Sequence, residues 1–262
     1  MCGIFGFVLK NPVHTPKVFK VLQKLEVSQY PGEPRPVGGY GAGIAVLLSD
    51  GSVLSEKVGK TADSPAAHLA ELMLPKLPEV SVLIGHVRFP SAEFMDTVTL
   101  REAAQPYVEH FDPELTIVSA HNGRVENYNE LKERLKSHVF ESAKAGFVDS
   151  EIIPHYFSEL VNETENVDEA LYRLFCTLKG SNTVSMFQVD EENAFLYLVH
   201  KGTTRGLTVW ANEKGEVIFC SRPEPVMEEF GRILARDKFK EKVVIKWHEN
   251  AGLKFSFPIP FK

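Results

Sequence analysis

The 262-residue chain is 44% hydrophobic and 24% charged, the balance of an ordinary soluble globular protein. Its net charge of −6 argues against a broad nucleic-acid-binding face, which needs a concentrated basic surface. Three cysteines, Cys2, Cys176 and Cys220, set up no disulfide framework and fit a reducing cytoplasm.

Residues 2–8 read as a buried strand with glycines at Gly3 and Gly6. Residues 16–25 carry Val18, Val21, Leu22 and Leu25 at helical spacing. The Pro/Gly-dense segment 29–41 is a loop by composition, and it lies between ordered elements, which marks a candidate substrate loop. Residues 43–48 and 52–58 form a hairpin around Asp50-Gly51. A helix follows at 66–74, then strands at 80–87 and 115–120, then helices at 129–137, 150–160 and 167–178. After Gly180 come short strands at 182–189, 194–200, 207–211 and 217–221, a helix at 225–235, and strands at 243–247 and 253–257. No repeat, low-complexity tract or linker interrupts this order. It predicts one α+β domain in which helices cover two packed sheets.

No stretch approaches the ~20 apolar residues of a membrane span, and 4–8 is too short for a secretory leader. No membrane attachment and a cytoplasmic location are therefore expected. No C-x-x-C pair or clustered Cys/His spacing suggests a metal site, and His86, His121 and His155 read as structural. Neither metal nor cofactor is expected.

Reactive residue types collect at strand ends, where side chains leave the core yet stay held by it. Cys2 is either a small buried hydrophobe or a nucleophile. If Met1 is trimmed, the α-amino group of Cys2, with a reference pKa of about 7.7–8.0, becomes a base for its own thiol. Asn122-Gly123 has the composition of a tight hairpin turn, yet the sequence continues into a helix, not a returning strand. A side-chain amide beside a glycine N–H instead supplies the two donors of an oxyanion hole. Arg88, within Gly85-His86-Val87-Arg88-Phe89-Pro90-Ser91, can grip a carboxylate with two parallel bonds. Asp149 is an N-cap by position, and it can also hold an ammonium group. A nucleophile with its own base, two oxyanion donors, a carboxylate-binding Arg and an ammonium-binding Asp together describe an L-amino acid with an acyl side chain. Glutamine is such a molecule.

Several motifs in order resemble those of the class II glutamine amidotransferases, whose glutaminase domains are N-terminal-nucleophile hydrolases. They are Met1-Cys2-Gly3-Ile4-Phe5-Gly6, Tyr40-Gly41-Ala42-Gly43, the Arg88 segment, Ala104-Gln105-Pro106-Tyr107, His121-Asn122-Gly123-Arg124-Val125-Glu126-Asn127 and Asp149-Ser150-Glu151. The resemblance implies a four-layer αββα sandwich filling residues 1–262 as a single glutaminase domain. It implies Cys2 as nucleophile and Asn122 and Gly123 as the oxyanion hole. Arg88, with Ser91 assisting, would hold the substrate carboxylate, and Asp149 the α-amino group. Segment 31–39 stands where the family usually has the Arg-Gly pair of its glutamine loop, and Ala92 replaces a histidine sometimes found after the Ser91 position. The implied substrate is L-glutamine, with ammonia passed to a synthase partner subunit. A stand-alone γ-glutamyl amide hydrolase and a non-catalytic regulatory module on the same scaffold are the alternatives.

Overall fold

A computed structural model describes residues 2–111, 115–164 and 166–260. Met1, whose removal the nucleophile reading requires, lies outside the described residues. In chain order the first half runs β1 (Gly3–His14), α1 (Thr15–Val27), β2 (Gly41–Leu47), β3 (Val53–Gly59), α2 (Pro65–Met73), β4 (Glu79–Val87), β5 (Tyr107–His110), β6 (Thr116–Gly123) and α3 (Tyr128–Lys132). The second half runs α4 (Ile152–Thr164), α5 (Val167–Thr177), β7 (Asn182–Val189), β8 (Ala194–Gly202), β9 (Leu207–Ala211), β10 (Val217–Cys220), α6 (Pro223–Arg236), β11 (Lys240–Ile245) and β12 (Ala251–Pro258).

The strands build a seven-stranded sheet, β11-β9-β10-β1-β4-β2-β3, and a five-stranded sheet, β12-β8-β7-β6-β5. The pairings described are antiparallel, including β1 with both β4 and β10. Alternation along β1 explains the layers, because successive side chains leave a strand on opposite faces. Phe5 and Phe7 point to a core shared with Val18, Leu22 and Leu25 of α1 and with Phe230 of α6. Ile4 and Val8 point the other way, into an apolar layer between the sheets with Val118, Ala120 and Phe187. Beyond the second sheet, Ile117, Val184 and Met186 pack on Ile153, Phe157 and Leu174 of α4 and α5. The order is helices, sheet, sheet, helices: the expected αββα sandwich.

Local differences from the expected elements have physical causes. β1 extends to His14 because Val13 and His14 pair with Val80 and Glu79 across a bulge, so pairing overrides Pro12. The helix expected at 129–137 shortens to α3, since Leu135 alone among residues 133–136 is buried. The chain then turns, bringing the His138 side chain to 3% exposure. β5 was not foreseen; its four residues are too few for a periodic signal, and pairing with β6 defines it. Asp149 begins a 3-10 turn whose N-cap is Val148 and which no side chain caps. The N-cap reading of Asp149 is thus replaced: its Oδ2 accepts the backbone N–H of Val125 at 2.8 Å.

Candidate active site

Antiparallel pairing sets the start of β1 beside the end of β4, with Gly3 opposite Val87. Cys2 and Arg88 are therefore neighbours despite their separation in sequence. The end of β6 in the other sheet reaches the same edge of the sandwich. A cavity of about 90 Å³ there is lined by Cys2, Arg88, Ser91, Gly123 and Asp149, with Gln105, His121 and Ser150 among its other walls. Wider grooves of about 440 and 600 Å³, bordered by residues such as Leu48 and Arg236, contain none of the candidate residues.

The Cys2 sulfur accepts the Phe89 N–H at 3.3 Å and lies 3.5 Å from the Phe89 carbonyl. Arg88 is 3% exposed. Its Nη2 donates to Thr97 Oγ1 at 2.6 Å and its Nη1 to the Thr97 carbonyl at 3.3 Å. Thr97 Oγ1 in turn donates to the Phe94 carbonyl at 2.7 Å. The turn 92–97 thus fixes the guanidinium plane and leaves further N–H groups for a ligand. Burial pulls the Arg88 pKa below its ordinary value, opposed by the nearby Cys2, Tyr107 and Asp149.

Gly123 closes β6 at φ +133°, where an added Cβ would lie 2.0 Å from the Ser181 carbonyl. Glycine is required there both for the dihedral and for the approach. Asn122 is fully buried on the inter-sheet face, two residues along from Ala120. Its Nδ2 donates to Ser221 Oγ at 2.7 Å, and the same oxygen accepts the Ile4 N–H at 2.9 Å. Asn122 itself does not line the cavity. Of the six expected residues, the structure brings five to the cavity wall and holds the sixth just behind it, with one amide hydrogen committed to Ser221.

Burial pushes the Asp149 carboxyl up to about 6, against the opposing Val125 N–H. At neutral pH it is a buried anion with one strong donor, a site suited to a cation. His121 faces it as a neutral wall. Its ring nitrogens contact Ser150 Oγ and Asn182 Oδ1, each at 2.9 Å, and burial drives its pKa down to about 4. Gln105 fixes this strand by exchanging two bonds with the His121 backbone, at 2.7 and 3.2 Å. Sequence reading missed Thr97, Gln105, His121, Ser150 and Ser221 as parts of the site. Gln105 and His121 stood inside recognised motifs, while Thr97 and Ser221 carry no local signal.

Segment 29–40 is packed in place. Val37 joins the core beneath Gly3, and the buried Glu33 carboxylate is ion-paired with Arg205 and Arg222. Arg222 also stacks on Tyr30 at 3.6 Å. Tyr40 meets Phe89 edge-on at 4.7 Å, which connects the segment to the backbone contacting Cys2.

Residues 93–228, just over half of the chain, match the family described as the glutamine amidotransferase domain. The glutamine–fructose-6-phosphate aminotransferase of Thermococcus kodakarensis is 28% identical over 94% of this chain and 36% of its own length. That of Methanothermobacter thermautotrophicus is 28% identical over 90% of this chain and 35% of its own length. The chain therefore spans about a third of the curated relatives it matches. Among solved structures, the glutamine phosphoribosylpyrophosphate amidotransferase of B. subtilis aligns with a TM-score of 0.65 at 16% identity, over 100% of this chain and 50% of that one. The sandwich is thus the N-terminal-nucleophile amidotransferase fold, and the chain belongs to the class II glutamine amidotransferase family.

Proposed function

We propose that residues 1–262 form a single glutaminase domain that hydrolyses the side-chain amide of L-glutamine through a γ-glutamyl thioester on Cys2. One observation carries the reading: Cys2, Gly123, Arg88 and Asp149 meet around one small cavity. Arg88, with Ser91 at the rim, takes the α-carboxylate, and Asp149 takes the α-ammonium. This leaves the amide carbon towards Cys2. With Met1 removed, the Cys2 amine accepts the thiol proton as sulfur attacks that carbon. The oxyanion forms between the Gly123 N–H and the free amide hydrogen of Asn122. Collapse breaks the C–N bond; the ammonium of Cys2 returns its proton to the leaving nitrogen, and ammonia departs. Water, deprotonated by the same amine, cleaves the thioester to glutamate.

The relatives' names describe amination of fructose 6-phosphate by proteins about three times this length. We place the ammonia acceptor outside residues 1–262, on a synthase partner. Support for a single domain comes from β1, which lies between β4 and β10 and so ties the two ends of the chain into one sheet.

The test is intact-mass analysis with and without a diazo-ketone glutamine analogue. The expected result is a chain lacking Met1 with one label on Cys2. A processed chain that takes no label refutes the nucleophile assignment. Co-purification of the chain alone, together with full activity alone, refutes the partner.

A further inference from the structure

A second group of polar side chains lies away from this cavity, between β5, the turn after α3 and the first turns of α4. We propose that Glu109, His138 and His155 form a binding site for a divalent transition-metal ion of the Zn²⁺ type. One ligand atom from each residue falls within 4.8 Å of the others. The Nδ1 atoms of the two imidazoles are 3.1 Å apart. Glu109 Oε1 is 2.9 Å from His138 Nδ1, and Glu109 Oε2 is 2.8 Å from His155 Nδ1. Zn²⁺ with nitrogen and oxygen ligands at about 2.0–2.1 Å puts tetrahedral neighbours roughly 3.3 Å apart. The three contacts, at 3.1, 2.9 and 2.8 Å, lie close to that spacing.

The outward-facing nitrogens support the same assignment. His138 Nε2 is 2.9 Å from Glu159 Oε1. His155 Nε2 faces Glu151 Oε1 at 3.7 Å. An imidazole that ligates a metal donates its other N–H to a carboxylate or carbonyl, which fixes the tautomer and turns the remaining lone pair inward. His138 is placed for that, with Nε2 outward to Glu159 and Nδ1 inward beside Glu109, and His155 turns its Nδ1 to the same Glu109 carboxylate.

Charge points the same way. Three carboxylates, from Glu109, Glu151 and Glu159, surround two imidazoles whose side chains are 3% and 1% exposed. Three carboxylates against two imidazoles leave the cluster with a local excess of negative charge that a divalent cation offsets. An entry path exists: a cleft of about 500 Å³ is lined by Glu109, Ser137 and His138. Three protein ligands leave a fourth position for water on that side. The ligands lie on separate elements, which is why no metal-ligand spacing shows in the sequence.

The experiment uses the whole chain, stripped with a chelator, loaded with Zn²⁺ alone, dialysed and assayed for bound metal. Affinity is then read by competition with a chromophoric zinc chelator. One Zn²⁺ per chain is expected in the wild type and in Cys2→Ala, which removes the only thiol in the catalytic cavity. His138→Gln and His155→Gln are expected to lose stoichiometric binding. Should either fail to fold, Glu159→Gln removes only an outer carboxylate and is expected to weaken binding about 10- to 100-fold. Less than a tenth of an equivalent in folded wild type overturns the proposal. Binding that survives the histidine variants, or disappears in Cys2→Ala, overturns it equally.

Discussion

Replacing Asp149 with Asn separates what the site needs from what the fold prefers. The carboxyl is buried, and its pKa stands at about 6 against an ordinary 3.8. At about 1.4 kcal/mol per pH unit, keeping it ionised at neutral pH costs the folded state about 3 kcal/mol. The folded state holds this proton more tightly than the unfolded chain does, so stability falls as pH rises between about 4 and 6 and stays reduced above that. Asn keeps the shape and the acceptor for the Val125 N–H at 2.8 Å while removing the charge. Asp149→Asn should therefore be more stable than wild type at pH 7, by up to about 3 kcal/mol, with the advantage shrinking as pH approaches 4. Urea unfolding across that range measures it. In the proposed binding pose the same change deletes a charge-assisted bond to the substrate ammonium, worth about 1.5–3 kcal/mol, so L-glutamine should bind roughly 10- to 150-fold more weakly. Calorimetric titration in a Cys2→Ala background reads affinity without turnover. There the Asp149-containing protein should also lose affinity below pH ~6 as the carboxyl protonates. Unchanged glutamine affinity in Asp149→Asn, or a stability difference that does not vary with pH, would refute the reasoning.

Asn122→Ala should lower kcat by about 10²–10³, the usual effect of removing one oxyanion donor; near-normal steady-state turnover would count against the assignment. Ser221→Ala leaves the buried Ile4 N–H and the Asn122 amide without the oxygen they share. It should cost about 1–3 kcal/mol of stability and lower kcat less than Asn122→Ala does, with KM little changed. In Arg88→Lys the planar fork is lost, so KM for glutamine should rise at least tenfold, with folding checked by circular dichroism. Glu33→Gln uncouples the carboxylate from Arg205 and Arg222. Removing the buried carboxylate that the two guanidiniums share should cost about 3–5 kcal/mol, read as a lowered urea midpoint.

The site was legible in the sequence where chemistry is written in short runs. Cys2-Gly3, Arg88-Phe89-Pro90-Ser91, Asn122-Gly123 and Asp149-Ser150 each place a reactive group at the end of an apolar element. Their order is what carries the resemblance to the class II glutamine amidotransferases. Alternating and helical patterns also gave the sheets and the long helices, because burial on one face leaves a period in the residues. The groups that hold these residues in place were not legible. Thr97 fixes Arg88 and Ser221 holds Asn122, but a threonine or serine partnered across the fold looks like any surface hydroxyl in one dimension.

What the sequence determined by itself is therefore the layered α+β fold and the set of reactive residue types. These depend on local periodicity and on the chemistry of single side chains. Only the tertiary structure decided which groups face one another. Antiparallel pairing of β1 with β4 put Cys2 beside Arg88. Stacking of the two sheets buried Asn122 just behind the cavity wall, with one amide hydrogen on Ser221. Burial made Asp149 an anion held against its own preference. The same packing gathered Glu109, His138 and His155 into one cluster. Distances and local dielectric arise only when distant segments pack together, and those two quantities set the charge states and contacts of the site.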